Sequence, residues 1–528
     1  MTEPPVATRA NEDTGPEDTP PVPAAAGTTS PARGWRSWPG RTLPTLRRHW
    51  LASLLVAAGL VLRLLAQLAY RPALVYVDSL KYLYANAPGS DPLGYKVVLK
   101  VLLVAGHLDI VVAVQHLLGL GMAIALYMVL LRCGVPRWLA ALAIAPVLLD
   151  AYQIQMEQMI MPDPWFEAMV VAGLVLVLWR PRLTIPLAVL AGLVLGASAT
   201  MRQIGEYLIL PVLLYVLVSG IGWRRWLVRG VAMTVAFVAP ILLYCGVSEV
   251  RTGHFWLARG QSSIGRTAAA ADCATLRVPP AVKALCPSPA QQALGPDYLE
   301  HSGQSPLYAT PEVPGTRAGL MRQLNNAIKH QQPLRVAKAI LRDSVRLFAL
   351  TRDQVKSVTP ISRWQFQTTY PAYAPFTKVR NHTIIIGLQP IAFHKITYVP
   401  LKPSYGNRAQ VSKPLASFLR AYQLDGGYTP GPLYALCVAV GLLACLVALL
   451  YWRAGEKLRA LAAGSLLFTG CAALLLFVPD VFEFSWRYEL PAVIVLPPAC
   501  ALGLMTLVGL RRDRRDRAAA AEAPAAAA

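Results

Sequence analysis

Apolar residues in this chain come in long blocks separated by short clusters of arginine and lysine. The blocks lie near 50–70, 109–131, 138–150, 164–179, 183–200, 207–222, 230–248, 431–451, 460–478 and 489–510. Roughly 20 residues at 1.5 Å rise cross a hydrocarbon layer, so these blocks predict membrane-spanning helices. The block at 138–150 is short and extends a few residues past Asp150. The pattern predicts an all-α polytopic membrane protein with about 10 spans, and 10–12 if residues 80–108 hold part of another.

The basic clusters set the expected sidedness. Arg41, Arg47 and Arg48 precede the first block, and Arg132, Arg137, Arg180, Arg182, Arg224, Arg225 and Arg229 flank later ones. Arg453, Lys457, Arg459 and the run RRDRRDR after 510 complete the set. With the N-terminus inside, every cluster falls inside, as the positive-inside rule requires. This places a multi-pass protein in the cell membrane with both termini cytoplasmic.

The expected organisation follows. Residues 1–45, rich in Pro, Ala, Thr and Glu, form a disordered tail. Residues 46–248 form an N-terminal transmembrane module whose first outer loop is 71–108. Its first block reads as an uncleaved anchor, because no short apolar region with a cleavage site precedes it. Residues 249–429 form one long extracytoplasmic segment before the last three spans. Residues 430–510 form a C-terminal transmembrane module, and 511–528 a cytoplasmic tail.

Composition narrows the class. With 55% hydrophobic and 15% charged residues and a mean hydropathy of +0.43, the chain is too apolar for an ordinary soluble protein. Its formal net charge of +22 would suggest nucleic acid in a soluble chain. Here the charge sits in the loops between spans, so nucleic-acid binding is set aside.

Candidate chemistry collects at the outer ends. Asp78, Asp91, Glu157, Asp163, Arg202, Glu206, Asp480, Glu483 and Arg487 all fall there. A carboxylate can take the proton of an acceptor hydroxyl, and arginines can hold a phosphate through paired hydrogen bonds. Asp78 reads as the base or as the N-cap of the helix SLKYLYANA. Asp91 reads as a turn residue. Asp163 and Glu167 stand four residues apart and can share a helix face, with Glu157 in the preceding loop as a further carboxylate. A divalent metal, Mg or Mn, bridging these acids to a phosphate is left open, since no His/Cys ligand spacing supports it. Arg202 reads as a phosphate contact or as a local partner of Glu206; Arg487 as a phosphate contact or an interfacial anchor beside Trp486 and Tyr488. His107 and His116 read as structural. Cys273 and Cys286 are the cysteines of the outer segment and are expected to form a disulfide. Residues 316–350 form a basic amphipathic pattern that Pro333 divides. It suits either a bilayer surface or an ordinary soluble pair of helices.

The order of these motifs resembles the GT-C class of membrane glycosyltransferases, which includes protein O-mannosyltransferases, aminoarabinose transferases and phospholipid-carrier-dependent glycosyltransferases. The matching residues are Asp78, Tyr82 and Ala85, DPLGY at Asp91–Tyr95, Asp163 in MPDPWF, Arg202 after a small-residue helix, and Arg487-Tyr488 in RYELP. The match covers spans one to six and the last. The chain departs from the pattern at Asp78-Ser79, where an acidic pair is usual, and at Asp163, where Glu is commoner. The long outer segment matches no subfamily. The resemblance implies an inverting hexosyl or pentosyl transfer from a polyprenyl-phosphate-linked sugar to a hydroxyl on a glycan, lipid or protein. Asp78 would be the base, Arg202 and Arg487 the phosphate contacts, and Tyr82, Tyr95 and Tyr488 the donor or acceptor lining. A lipid transporter or flippase, or a ligase using diphosphate-linked glycans, is the competing reading. The transporter is disfavoured because no internal repeat is present and the charges sit at span ends rather than at the midplane.

Overall fold

The computed structural model describes residues 47–84, 91–219, 222–258, 262–309, 317–354, 359–370, 377–379, 396–398, 409–451 and 455–522. The predicted tail at 1–45 and Ala85 lie outside them. Two compact units divide the chain, Met1–Arg48 and His49–Ala528.

Every predicted apolar block is helical. The first module contains α1 (Trp50–Ala69), α2 (Val77–Tyr84), α3 (Gly94–Leu102), α4 (Leu108–Arg132), α5 (Arg137–Leu149) and α6 (Ala151–Gln158). It continues with α7 (Asp163–Leu178), α8 (Ile185–Met201), α9 (Ile209–Val218) and α10 (Trp223–Thr252). Among the described residues six helices are long and apolar enough to cross a membrane, and α5 with α6 makes a seventh if that pair, bent by 49°, is one span. α7, α8 and α9 are shorter, at 16, 17 and 10 residues. Large apolar side chains stay exposed along α1 and α10, among them Leu54, Leu64, Val235 and Leu243. Such faces suit hydrocarbon, where burial against protein is not required.

Backbone proximity is set by small residues. α8 and α10 pack closely, and a Cβ at Gly192 or Gly196 would collide with the carbonyls of Met233 or Phe237. These two glycines are four apart, the spacing that lets helix backbones meet in a bilayer.

The long segment is folded and helical. α11 (Ile264–Ala270), α12 (Gly295–His301), α13 (Arg317–Gln331) and α14 (Pro333–Ser344) surround a small core of Ile264, Ala268, Leu299, Leu324 and Ile328. A disulfide joins Cys273 to Cys286, with Cα atoms 5.9 Å apart. Pro333 divides the two basic helices, opening α14. They then differ. α13 buries Leu324 and Ile328, whereas Leu334 and Leu341 on α14 are 83% and 61% exposed.

α15 (Lys413–Leu424), α16 (Gly431–Leu450), α17 (Glu456–Asp480) and α18 (Ala492–Glu522) complete the described chain. α18 runs 12 residues past the expected span end at 510. No helix breaker interrupts RRDRRDRAAAAE, so the helix carries on into the region expected as a tail.

Ties between the long segment and the bundle gather at one end of the helices. Tyr70–Arg71, just after α1, pairs antiparallel with Gln410–Val411. Tyr70 stacks on Phe366, and Tyr76 packs on Trp364. Asp150 accepts from Tyr152 N–H as the cap of α6, from Thr429 N–H, and from the Arg352 guanidinium at 3.1 Å. One buried carboxylate thereby ties α5, α6 and the far end of the long segment together.

Candidate active site

Four residues remote in sequence meet at that end. Asp78 stands in the first turn of α2, Asp163 opens α7, Arg202 ends α8, and Arg487 lies between α17 and α18. Arg487 binds Asp163 with two parallel bonds, Nε–Oδ1 at 3.0 Å and Nη2–Oδ2 at 2.8 Å. Its Nη1 donates to Asp78 Oδ2 at 2.7 Å. Arg202 Nη1 donates to the same Asp163 oxygen as Arg487 Nε, at 2.5 Å from Oδ1. Lys81 lies 3.4 Å from Asp78 and 2.5 Å from Asp91. Tyr488 stands between the guanidinium groups, with ring-centre distances of 5.2 Å to Arg202 and 5.9 Å to Arg487.

Helix α2 begins at Val77, so Asp78 does not cap it. The serine beside it turns back instead, with Ser79 Oγ accepting from Tyr76 N–H. That leaves the Asp78 carboxylate directed at Lys81 and Arg487. Burial works against its charge, but Lys81 and Arg487 outweigh burial and hold its carboxyl well below the usual range. Asp78 is therefore ionised at neutral pH. Its side chain keeps 23% exposure, against 2% for Asp163.

Free donors remain. A guanidinium carries five N–H groups. Among the described residues, Arg487 uses three of them and Arg202 one. A phosphate can therefore be accepted without breaking the pairs to Asp163.

Other sequence candidates lie elsewhere. Glu157 is on α6, fully buried, and not in a loop. Arg63 binds it through Nε and Nη2, both at 2.8 Å, and His116 Nδ1 lies 3.0 Å away. Gly119 gives the carboxylate room, since a Cβ there would overlap it. Glu167 accepts from Gln153 Nε2 at 2.7 Å. Tyr82 and Tyr95 meet edge to face at 5.4 Å and are buried, and the Tyr95 hydroxyl donates to Gln115 Oε1 at 2.7 Å. These side chains brace the floor of the site. Glu206 is not Arg202's partner; Asp163 is.

The carboxylates first considered for a metal do not fit one. Both oxygens of Asp163 are taken by arginines, both of Glu157 by Arg63, and Glu167 accepts from Gln153. Asp297, His301 and Glu483 form a better donor set, with ligand atoms within 4.8 Å of one another. Burial disfavours the charged His301 ring, yet the hydrogen bond and charge of Asp297 raise it to about 9. Burial, with Asp297 adding, pushes Glu483 up to about 7. This set reads first as an ion pair, His301 Nδ1 to Asp297 Oδ1 at 3.2 Å, shared with a third carboxyl group.

Sequence reasoning missed Lys81 and Arg63. Arg63 carried a signal: it is a lone charge within an apolar block, where charge is costly and paired. Lys81 stands one helical turn after Asp78, which places the two on one face.

No family model matches this chain, and no curated protein is similar to it. Among solved structures it resembles the crystal structure of ArnT from Cupriavidus metallidurans bound to undecaprenyl phosphate. Identity is 13%, coverage is 86% of this chain and 77% of that one, and the TM-score is 0.31. So coarse a likeness leaves the chemistry to be argued from the residues themselves.

Proposed function

We propose that the protein is an inverting GT-C-type glycosyltransferase that moves a hexosyl or pentosyl group from a polyprenyl phosphate to an acceptor hydroxyl at the outer membrane face. The observation that carries this reading is the Asp78–Arg487–Asp163–Arg202 cluster. It combines an ionised, partly accessible carboxylate with two arginines that keep open donors, at the boundary between a bundle with lipid-suited faces and a folded polar segment.

Each residue has a stated part. The open N–H groups of Arg202 and Arg487 hold the donor phosphate and neutralise the charge it gains on leaving. Asp163 fixes both guanidinium groups. The acceptor hydroxyl attacks the sugar C1 from the face opposite the phosphate. The new C1–O bond forms as the old one breaks, the bonding pair stays on the phosphate oxygen, and the hydroxyl proton passes to Asp78. A carboxyl held below its ordinary range is a weak base. A donor phosphate that draws Nη1 of Arg487 away from Asp78 restores basicity at the moment of binding. Tyr488 lines the space between the arginines. The chemistry needs no step through a metal ion.

The test is transfer from radiolabelled polyprenyl-phosphate mannose and arabinose to crude cell-envelope acceptor by purified protein, with and without chelator. Wild type should transfer and Asp78→Asn should not. Full activity in a correctly folded Asp78→Asn protein would overturn the base assignment. No transfer by folded wild type with any donor would shift the reading to a transporter or a diphosphate-dependent ligase.

A further inference from the structure

A cavity of about 510 Å³ opens in the long segment and shares no lining residue with the Asp78 cluster. Its wall carries five cations, Arg266, Arg335, Lys338, Arg342 and Arg346, against a single carboxylate, Asp343. Arg335, Lys338 and Arg342 follow one another at three- and four-residue spacing along α14, which puts them on one face. Arg266 comes from α11 and is only 2% exposed.

The cations are only partly neutralised from within, Asp480 acting on Arg266 and Arg346 and Glu483 on Arg266 from beyond the cavity wall. Asp343 is shared between Arg266 and Arg346, the latter at 3.0 Å. Arg335 donates from Nε to the Ala270 carbonyl at 3.3 Å and lies 3.8 Å from its carboxylate neighbour Asp272. Among the described residues Lys338 and Arg342 have no ion-pair partner. Arg266 donates to Asp343 through Nη1, while its Nε and Nη2 are buried without any hydrogen-bond partner. Leaving buried charged donors open is costly, and several like charges around one concavity focus a positive potential there. An arrangement whose only purpose was to hold α11 against α14 would need the Arg266–Asp343 pair alone.

We propose that this cavity binds a ligand bearing a phosphate or carboxylate group, at a site separate from the Asp78 cluster, with Arg266 as its buried anchor. Two sources share that chemistry: an acidic group on a soluble glycan, and the headgroup of an anionic membrane lipid. The inference does not depend on the transferase reading, and its test measures binding alone.

The experiment is calorimetric titration of the full-length protein, in neutral detergent, with inorganic pyrophosphate. Saturable binding that depends on the α14 cations is expected, weakened by roughly 0.5 M salt. Lys338→Gln and Arg342→Gln should each weaken it about fivefold or more, while Arg182→Gln, at an exposed pair with Glu456, leaves it unchanged. Arg266→Gln should abolish it; the Lys338 and Arg342 variants keep the test decisive if that buried change impairs folding. Competition by glucose 1-phosphate supports a glycan source. Competition by nanodiscs containing phosphatidylglycerol, but not by neutral ones, supports a lipid source. Absence of saturable binding by folded wild type overturns the proposal. So does binding that Arg202→Gln removes and both α14 variants leave intact.

Discussion

Arg63 uses all five of its N–H donors inside the bundle, whereas Arg487 uses three and Arg202 one. Both clusters pair arginine with a buried carboxylate. The Arg63 group is closed: besides Glu157, its donors go to the carbonyls of Gly59, Val147 and Leu148. Nothing remains to meet a ligand, and both charged side chains are buried. The Asp78 group is similar in chemistry but unsaturated, and its edge is accessible. The difference shows how the same residue types serve as a rivet in one place and as a receptive site in another. Counting free donors separates the two where burial alone does not, since Asp163 and Glu157 are both buried.

Mutations can break that contrast. The largest effect is expected at Asp78. Asp78→Asn should lower kcat for sugar transfer about 10³-fold, the ordinary scale for losing a general base, with little change in thermal stability. Next comes Arg63→Leu. It leaves the buried Glu157 without its guanidinium partner, and should cost about 3 kcal/mol or more of stability, read as lost folded yield in size-exclusion chromatography. The double variant Arg63→Leu with Glu157→Leu should recover much of that loss. If Arg63→Leu instead stays folded and loses only donor affinity, the Arg63 cluster belongs to the site. Arg202→Gln is smaller again. It should raise the donor KM about tenfold while acceptor KM moves little, because one set of phosphate contacts is lost.

Much of the architecture was legible in the chain. The apolar blocks became helices because their length and lack of charge leave few alternatives in a bilayer. Asp78, Asp163, Arg202 and Arg487 stood out because they sit at block ends opposite the basic clusters. Their mutual pairing was not legible. It depends on which helix ends meet, and Asp78 and Arg487 are 409 residues apart. Glu157 was misplaced to a loop because the polar run AYQIQMEQ has no apolar stripe; it is helical because Asp150 caps it and because it is buried on all sides. The fold of the long segment was also hidden, since several of its helices are only a turn or two long.

The smallest predicted effect concerns Asp297, Glu300 and Glu483, the acids around His301. The ring's folded pKa of about 9 lies above the ordinary 6.5. Its stabilising contribution is therefore complete below about pH 6.5 and lost as pH rises through about 9. The ring is half exposed, so the wild-type Tm should fall by only roughly 1–2 °C over that interval, and His301→Ala should be flat. A chelator-sensitive activity that His301→Ala removes would instead make this group a metal site.

The 409-residue separation of Asp78 and Arg487 also has a consequence for biogenesis. At roughly 5–20 residues per second, the ribosome delivers Arg487 some 20–80 s after Asp78 has emerged. During that interval Asp78 and Asp163 lie in a nascent membrane protein without the cation that joins them. Premature termination between the end of α17 and Arg487 yields a chain that holds all but the last long helix yet never assembles its charge cluster. Synthesis itself thus withholds the complete charge cluster until the segment between α17 and α18 has been made.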